Sequence, residues 1–419
     1  MCQDVVVKAL STMVRAKRGL LYSGYVRVGG AALVAIGLVL GVRILGVEQF
    51  GVSVLVLAVG QVLAFPLTAL ERLLIRVVAT GDTQRATRLL TISNWYCALL
   101  GVLTAIAVII TFQIRSPQDT LFVAAAGLTA VTSSLLTIRQ GLNRALGNLM
   151  WGQLPNELFR PAMSIIGYVV AILAATESFH GSTATAVASL ATLILILWAP
   201  TRIPNAKPNA AQASGTGMGY AMMSLLIISA VAVAVERLYP ILIGSLATKE
   251  DVTLFAVVLR VIQLANFGQA FGVFFYSPHM ARSLNPADVN FPEARRLAGR
   301  IRLVGLLTAT PVAALCAFTP DLVGSLIDPN LLLTWPLRIA ALVILAQALA
   351  GPTQTVLIMA GQEVPVAMIY LTGYLVSISG YLTSSSKGAV STTAWAAVAF
   401  VIWAAIMAIH LRRTYGRWL

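Results

Sequence analysis

Two similar stretches, each a polar turn between apolar segments, occur in this chain of 419 residues. Residues 43–65 read RILGVEQFGVSVLVLAVGQVLAF, and residues 242–267 read LIGSLATKEDVTLFAVVLRVIQLANF. An offset of 202 residues aligns Val52 with Leu254, Gln61 with Gln263 and Phe65 with Phe267. In both copies a short polar turn joins two apolar segments, which predicts that the chain consists of two related halves.

The composition is that of a membrane protein. Hydrophobic residues make up 58% of the chain and charged residues only 11%, whereas soluble domains have about 25% charged residues. Apolar stretches long enough to cross a hydrocarbon core of about 30 Å recur from end to end. We predict an all-α protein with twelve transmembrane helices, at residues 24–45, 51–73, 89–112, 120–138, 154–175, 183–199, 219–246, 252–278, 303–319, 333–358, 364–382 and 391–411.

Residues 200–218, PTRIPNAKPNAAQASGTGM, differ from the apolar segments on either side. A stretch rich in Pro, Asn, Ala, Ser and Gly is typical of a linker. The sequence therefore predicts two pseudo-symmetric lobes of six helices, residues 1–199 and 219–419, joined by a cytoplasmic linker. An even number of spans in each half gives both halves the same orientation, and transporters of this kind commonly bind their substrate between the halves near the midplane.

Lys and Arg total 29 against 15 Asp and Glu, a net charge of +14. The basic residues lie mainly in short loops, and they collect on one side of the membrane if both termini are cytoplasmic. The opposite side then carries only Arg115, Lys249 and Lys387. Topology and contact with membrane lipids explain this charge, so no nucleic-acid partner is expected.

Several charged residues fall inside the apolar segments, where each costs about 3 kcal/mol on insertion scales. Such residues usually face a cavity or the interior of the bundle. The candidate cavity cations are Arg27, Arg72, Arg160, Arg237 and Arg260, and the candidate coupling or ion-pair acids are Glu71, Glu157 and Glu236. The excess of guanidinium groups predicts an anionic substrate such as a diphosphate or carboxylate, because the guanidinium fork binds two oxygens at once.

A structural role is the alternative for the same residues. Glu157 and Arg160 are three residues apart and could pair on one helix. Glu236 could pair with Arg260 across two helices, which would leave these groups without a substrate to bind.

Enzymatic chemistry is poorly supported. The chain has three His residues, no His/Cys/Asp/Glu cluster at metal-ligand spacing and no phosphate-binding GxxxxGK[ST] loop. The loops are too short to hold a catalytic domain. We therefore expect neither an enzyme nor a bound cofactor, apart from coupling to H⁺ or Na⁺.

Two motifs resemble a known family. LGVEQFGVSVLVLAV at residues 45–59 and ERLYPILIGSLATKEDVTLFAVVLRV at residues 236–261 are similar to the polysaccharide-biosynthesis membrane proteins. These are O-antigen-type oligosaccharide-lipid flippases of the multidrug/oligosaccharidyl-lipid/polysaccharide exporter (MOP) superfamily. Gly46, Glu48, Phe50 and Gly51 match the turn motif, and Glu236 with Arg237 matches an acid–Arg pair. Thr253 stands where the second turn of the family usually has glycine.

The resemblance implies a MATE-like bundle with a central cationic cavity. It also implies that the protein flips an oligosaccharide linked to undecaprenyl diphosphate from the inner to the outer leaflet of the bacterial cytoplasmic membrane, by alternating access. Polysaccharide polymerase and glycosyltransferases would be its protein partners. Sugar contacts would come from scattered polar and aromatic residues such as Asn94, Trp95, Tyr96, Gln140, Asn266 and Gln269.

Two alternatives belong to other classes. The first is an ion-coupled small-molecule or multidrug antiporter of the same fold, and the second is a scaffold protein that transports nothing. An antiporter for cations should have unpaired carboxylates in its cavity, and a scaffold has no reason to keep Arg237 and Arg260 at membrane depth.

Overall fold

The computed structural model describes residues 2–79, 83–146, 148, 151–198, 237–284, 290–329, 331–360 and 362–415. Within these ranges the chain is almost entirely helical and contains no β-strand. Ten described helices are long and apolar enough to cross a membrane, or eleven when one bent pair counts as a single span. The predicted linker at 200–218 and most of the predicted seventh span lie outside the described residues.

The N-terminal lobe contains six helices. Helix α2 packs against α4, α3 packs against α4, and α5 packs against α6. A π turn at Pro155–Phe159 precedes α5. The helices are α1 (Cys2–Leu45), α2 (Val47–Ala79), α3 (Thr83–Ile114), α4 (Pro117–Ala145), α5 (Arg160–Ala174) and α6 (His180–Trp198).

The described part of the C-terminal lobe contains nine helical segments, several of them short. They are α7 (Tyr239–Leu246), α8 (Lys249–Ala265), α9 (Phe267–Ser283), α10 (Phe291–Phe318), α11 (Pro320–Ile327), α12 (Thr334–Ala350), α13 (Thr353–Met359), α14 (Glu363–Thr383) and α15 (Ala389–Tyr415). Helix α9 packs against α10, α10 against α12, and α12 and α14 against α15. Two aliphatic and aromatic clusters form the core of this lobe, and the second of them extends to α1, α2 and α5 of the N-terminal lobe.

Two predicted spans are not single helices. The eighth, predicted at 252–278, bends by 50° between α8 and α9. Asn266 caps α8 at this break, where both its backbone N–H and its side-chain Nδ2 donate to the Ile262 carbonyl oxygen at 3.1 Å. The tenth divides at Gly351, whose φ of +59° favours glycine. By contrast, α2 runs without interruption through Pro66, close to the position equivalent to Asn266.

The two lobes meet where α1 turns into α2 at Gly46, which has a φ of +78°. We call this the Gly46 end of the bundle. The Thr253 hydroxyl donates to the Val47 carbonyl oxygen at 2.6 Å, and Lys249 Nζ lies 3.0 Å from Glu48 Oε1. These contacts join α2 to α8 and close the interface at this end.

A second contact at the Gly46 end connects α1 to α11. Arg43 Nε donates to the Ile327 carbonyl oxygen at 3.0 Å, and Nη2 donates to that of Leu326 at 2.9 Å. The guanidinium thus satisfies carbonyl groups at the C-terminus of α11, where a positive charge is favourable. Arg43 therefore stabilises the interface between the lobes.

Candidate functional site

A cavity of about 320 Å³ lies between the two lobes. Its walls are formed by α1, α2 and the start of α5 from the N-terminal lobe, and by Arg237, α7, α8 and the first residue of α9 from the C-terminal lobe. Ligand cavities are typically about 300–1,000 Å³. The volume therefore suits a small organic molecule or a single head group.

The internal repeat is visible in the cavity wall. Three pairs of residues related by the 202-residue offset line it from opposite lobes, namely Val54 with Ala256, Leu57 with Leu259 and Gln61 with Gln263. The equivalent helices α2 and α8 therefore face each other across the cavity. The charge does not follow this symmetry, because the lining residue Arg260 aligns with Ala58, which is buried with 1% of its surface exposed.

Four of the predicted cavity cations line this one cavity. They are Arg27 on α1, Arg160 at the start of α5, Arg237 just before α7 and Arg260 on α8. Glu157 is the only carboxylate among the described lining residues. The described wall thus carries four positive groups and one negative group.

Arg160 lies in the middle of this cationic group. Its Nη2 is 3.4 Å from the Ser133 hydroxyl, and the charges of Arg237 and Arg260 act on its guanidinium. Among the described residues it forms no ion pair with a carboxylate. The alternative pairing with Glu157 is not formed, since the wider π turn at Pro155–Phe159 changes the angle between the two side chains from that of an α-helix.

Arg260 is held by its own helix. Its Nη1 donates to Gln263 Oε1 at 2.9 Å, one turn further along α8. No described carboxylate forms an ion pair with it. Glu236, the acid proposed above as its partner, lies outside the described residues, so that pairing stays a prediction.

Arg27 lies at the end of the cavity away from Gly46. Its Nη1 donates to the Ala270 carbonyl oxygen at 3.2 Å, which connects α1 to α9 across the lobe boundary. The negative charge of Glu157 also acts on it. Arg27 therefore contributes both to the cavity wall and to the contact between the lobes.

Two candidate residues on α2 have other positions. Glu71 forms an ion pair with Arg144 of α4 at 3.4 Å and is not among the described lining residues. The side chain packs against Gly141, where an added Cβ would lie 2.6 Å from Glu71 Cγ. Arg72 belongs to α2, but its side chain is outside the described part of the structure.

Sequence reasoning missed Tyr168 on α5. Its side chain lines the cavity and packs edge-on against Phe50, with ring centroids 6.3 Å apart. Its hydroxyl makes no hydrogen bond with any described residue, although buried tyrosine hydroxyls usually have a partner. The repeat alignment marked Gln61 and Gln263, whereas no pattern in the sequence distinguishes Tyr168 from a core aromatic residue.

The proposed sugar-contact residues lie elsewhere. Trp95 on α3 is 73% exposed, and Asn266 and Gln269 are held by contacts within the C-terminal lobe. None of the six residues suggested above is among the described residues that line the cavity. Within the described part of the chain, no group of three or more His, Cys, Asp or Glu residues could hold a metal ion.

The chemistry available at this site is therefore anion binding. Guanidinium groups offer paired N–H donors that match carboxylate, sulfonate and phosphate oxygens. In a membrane interior, unneutralised guanidiniums are costly, so a bound anion would lower the free energy of the site.

The fold was compared with known proteins. No family model matches the sequence, and no curated protein sequence matches it. Among solved structures, an inward-facing multidrug resistance MATE family transporter of the MOP superfamily is similar, with a TM-score of 0.65, 10% identity, and coverage of 92% of this chain and 94% of that one. A MATE protein in a bent conformation has a TM-score of 0.57 at 11% identity, and the alignment covers 95% of each chain.

A third similar structure is a MOP superfamily transporter from Pyrococcus furiosus, described as having a binding pocket of reversed polarity that suggests a different function. Its TM-score is 0.56 at 12% identity, with 95% of each chain covered. These likenesses confirm the predicted fold class, an all-α bundle with the fold seen in MATE transporters.

Proposed function

We propose that this protein is an alternating-access transporter of small organic anions in a cellular membrane. The observation that carries the proposal is the cavity between the lobes, whose described wall has four arginines and one glutamate. Two of these arginines, Arg160 and Arg260, form no ion pair with described carboxylates. A substrate anion would supply the missing negative charge, and rocking of the lobes about this site would expose it to each side in turn.

The comparisons favour the small-molecule exporter over the lipid-linked oligosaccharide flippase. The similar structures with a stated activity are multidrug transporters, and none of the three similar structures is described as acting on a glycan. The cavity volume of about 320 Å³ also suits a small molecule. The cationic wall differs from what a transporter of cationic drugs needs, so we assign the protein to anions.

The flippase of undecaprenyl-diphosphate-linked oligosaccharides remains the second candidate. The turn motif at Gly46–Gly51 supports it, and a diphosphate suits the arginine cluster. If the protein is this flippase, we propose polysaccharide polymerase and glycosyltransferases as its partners and the bacterial cytoplasmic membrane as its location. Coupling to H⁺ or Na⁺ is common to both, and Glu157 is the described cavity carboxylate at which a coupling ion would bind.

The test is dye flux into vesicles that contain the purified protein. We expect carboxyfluorescein, an anion, to cross in a protein-dependent manner, and a cationic rhodamine not to cross. The double variant Arg160→Gln, Arg260→Gln should abolish the carboxyfluorescein flux. Arg338→Gln is the matched control, because Arg338 is exposed and stacks on Trp335 with its Cζ 5.3 Å from the ring centroid.

Transport of the rhodamine but not of carboxyfluorescein would contradict the proposal. A second measurement separates the two candidates. Flipping of undecaprenyl diphosphate by the same vesicles, with no carboxyfluorescein flux, would favour the lipid-linked substrate over a small anion.

A further inference from the structure

The cavity wall changes character along its length. On α1 the lining runs from Arg27 to Leu38, which is 11 residues or about 16 Å of helix. Towards the Gly46 end the described lining residues carry no charge, and the hydroxyl of the lining residue Ser53 is bonded to Thr185 Oγ1 at 2.8 Å; five lining residues there are apolar or aromatic. We call them the apolar dome: Leu38, Phe50, Val54, Tyr168 and Ala256.

Helical rise gives the depth of each group. Leu38, Val54, Tyr168 and Ala256 lie six or seven residues, or about 10 Å, from the Gly46 end of their helices. Arg260 is 11 residues from the start of α8, or about 16 Å, and Arg160 is 14 residues from the end of α5, or about 21 Å. The guanidinium groups of Arg160 and Arg260 therefore lie beneath the dome, at a depth where Leu57 and Leu259 also line the wall.

The dome is closed above. The Thr253 hydroxyl bonds the Val47 carbonyl oxygen at 2.6 Å, and Gly51 lies against the Lys249 carbonyl. Phe50 and Tyr168, with 5% and 7% of their surfaces exposed, form its aromatic wall. An apolar group placed there is shielded from water on the side of the Gly46 end.

Tyr168 lies where the dome meets these guanidinium groups. Its ring belongs to the dome, and Arg260 is near enough for the two groups to interact electrostatically. Its hydroxyl makes no hydrogen bond within the described residues. Both residues line the same cavity, so this hydroxyl is a donor free of described partners on the wall that carries Arg260.

We infer that the transported anion is amphiphilic, with a compact apolar group in the dome and a carboxylate, sulfonate or phosphate held by Arg160, Arg260 and the Tyr168 hydroxyl. This inference rests on the proposed function and specifies its substrate class. It argues against a polyprenyl-linked substrate as the natural ligand, because a polyprenyl tail stays in the bilayer and leaves the dome unused. It also excludes inorganic anions, which have no group to place there.

The test is a binding series of methanesulfonate, benzenesulfonate and 2-naphthalenesulfonate. Isothermal titration calorimetry on the full chain in detergent, with uptake into empty micelles subtracted, measures each affinity. We expect the affinity to rise about tenfold from methanesulfonate to benzenesulfonate, and further with naphthalene, as the apolar area placed in the dome grows. An affinity that is independent of the apolar group would overturn the inference while leaving anion transport intact.

Two variants locate the effect. Val54→Phe fills the dome from a half-buried position, so it should flatten the series by lowering the affinities for benzenesulfonate and 2-naphthalenesulfonate. Tyr168→Phe keeps the ring and should weaken all three ligands about three- to tenfold. Tyr96→Phe is its control, because that hydroxyl donates to the Leu63 carbonyl oxygen at 2.6 Å, away from the cavity.

The outcomes are distinct. The inference would be overturned if the affinity of Val54→Phe still rose from methanesulfonate to 2-naphthalenesulfonate as it does in the wild type. It would also be overturned if undecaprenyl diphosphate bound more tightly than every sulfonate and Val54→Phe did not change that affinity. Failure of all three sulfonates to bind, together with no anion flux, would overturn the proposed function as well.

Discussion

Gly51 and Thr253 occupy equivalent positions in the two halves of the chain and meet at the lobe interface. A Cβ added to Gly51 would lie 3.0 Å from Thr253 Oγ1 and closer still to the Lys249 carbonyl oxygen. Equivalent residues can touch only where the pseudo-symmetry axis passes between them. The axis of the bundle therefore runs through the contact between α2 and α8, directly above the cavity.

Gly51→Ala should destabilise the protein despite the better helix propensity of alanine. The added methyl overlaps the backbone of Lys249, and overpacking of this kind costs about 1–3 kcal/mol. Thermal unfolding in detergent measures the effect as a lower Tm. Gly101→Ala is the matched control, since nothing lies within 4 Å of a Cβ there, and its Tm should stay or rise. Equal Tm values for the two variants would mean that the lobes do not approach so closely at Gly51.

Arg43→Gln should loosen the attachment of α11 to α1. The variant loses the charged donors to the Leu326 and Ile327 carbonyl oxygens, and because the side chain is exposed we expect a loss of about 1 kcal/mol in unfolding free energy. Arg43→Lys keeps the charge and should recover part of it. The same loss of Tm in both variants would show that the paired geometry, rather than the charge, matters.

The ion pair between Glu48 and Lys249 should contribute little to stability. Both side chains are substantially exposed, at 56% and 41%, and exposed pairs are worth about 0.2–1 kcal/mol. A double-mutant cycle with Glu48→Gln and Lys249→Gln measures the coupling energy. A coupling above this range would indicate that the pair is desolvated in the membrane-embedded protein.

Gln263→Leu should weaken anion binding without abolishing it. Gln263 accepts a hydrogen bond from Arg260 and so orients the guanidinium towards the cavity, and its loss should lower benzenesulfonate affinity about three- to tenfold. Gln61→Leu is the control at the equivalent position of the other lobe, where no described arginine bonds the amide. Equal losses from both variants would assign the glutamines to direct ligand contact instead.

Membrane orientation can be tested by cysteine labelling. The positive-inside rule predicts that Ser385, in the turn between α14 and α15, is outside the cell and that Arg296 is inside. In a Cys2→Ser background, a membrane-impermeant maleimide should label Ser385→Cys but not Arg296→Cys in intact cells. Cys97 and Cys316 are buried and should contribute no signal. If Arg296→Cys were labelled and Ser385→Cys were not, the Gly46 end of the bundle would face the cytoplasm instead of the outside.

Much of this architecture could be predicted from the sequence. Hydropathy predicted the spans because a transmembrane helix needs about 20 apolar residues, whatever its partners. The 202-residue offset predicted that α2 and α8 are equivalent, and the two helices do face each other. Depth in the membrane selected Arg27, Arg160, Arg237 and Arg260, which line one cavity.

The remaining features depend on distant contacts that periodicity cannot predict. Glu71 has the same membrane depth as a cavity acid, yet its partner Arg144 lies 73 residues away on α4. The bend at Asn266 was not predicted, because Asn266 and the nearby Gly268 lie in an apolar segment that hydropathy alone treats as one continuous span. Tyr168 resembles any core aromatic residue until the packing of Phe50 and the position of Arg260 are known.

Ala58 and Arg260 occupy equivalent positions in the two halves, but only Arg260 carries a charge, and this difference limits how a ligand can bind between the halves. Two equal half-sites would accept two ligands, or one ligand in either of two directions. Here Arg260 has no counterpart at the equivalent position of the other half, so the two halves of the site are not equivalent. A ligand with one acid group is therefore expected to bind in one orientation, with that group towards Arg260.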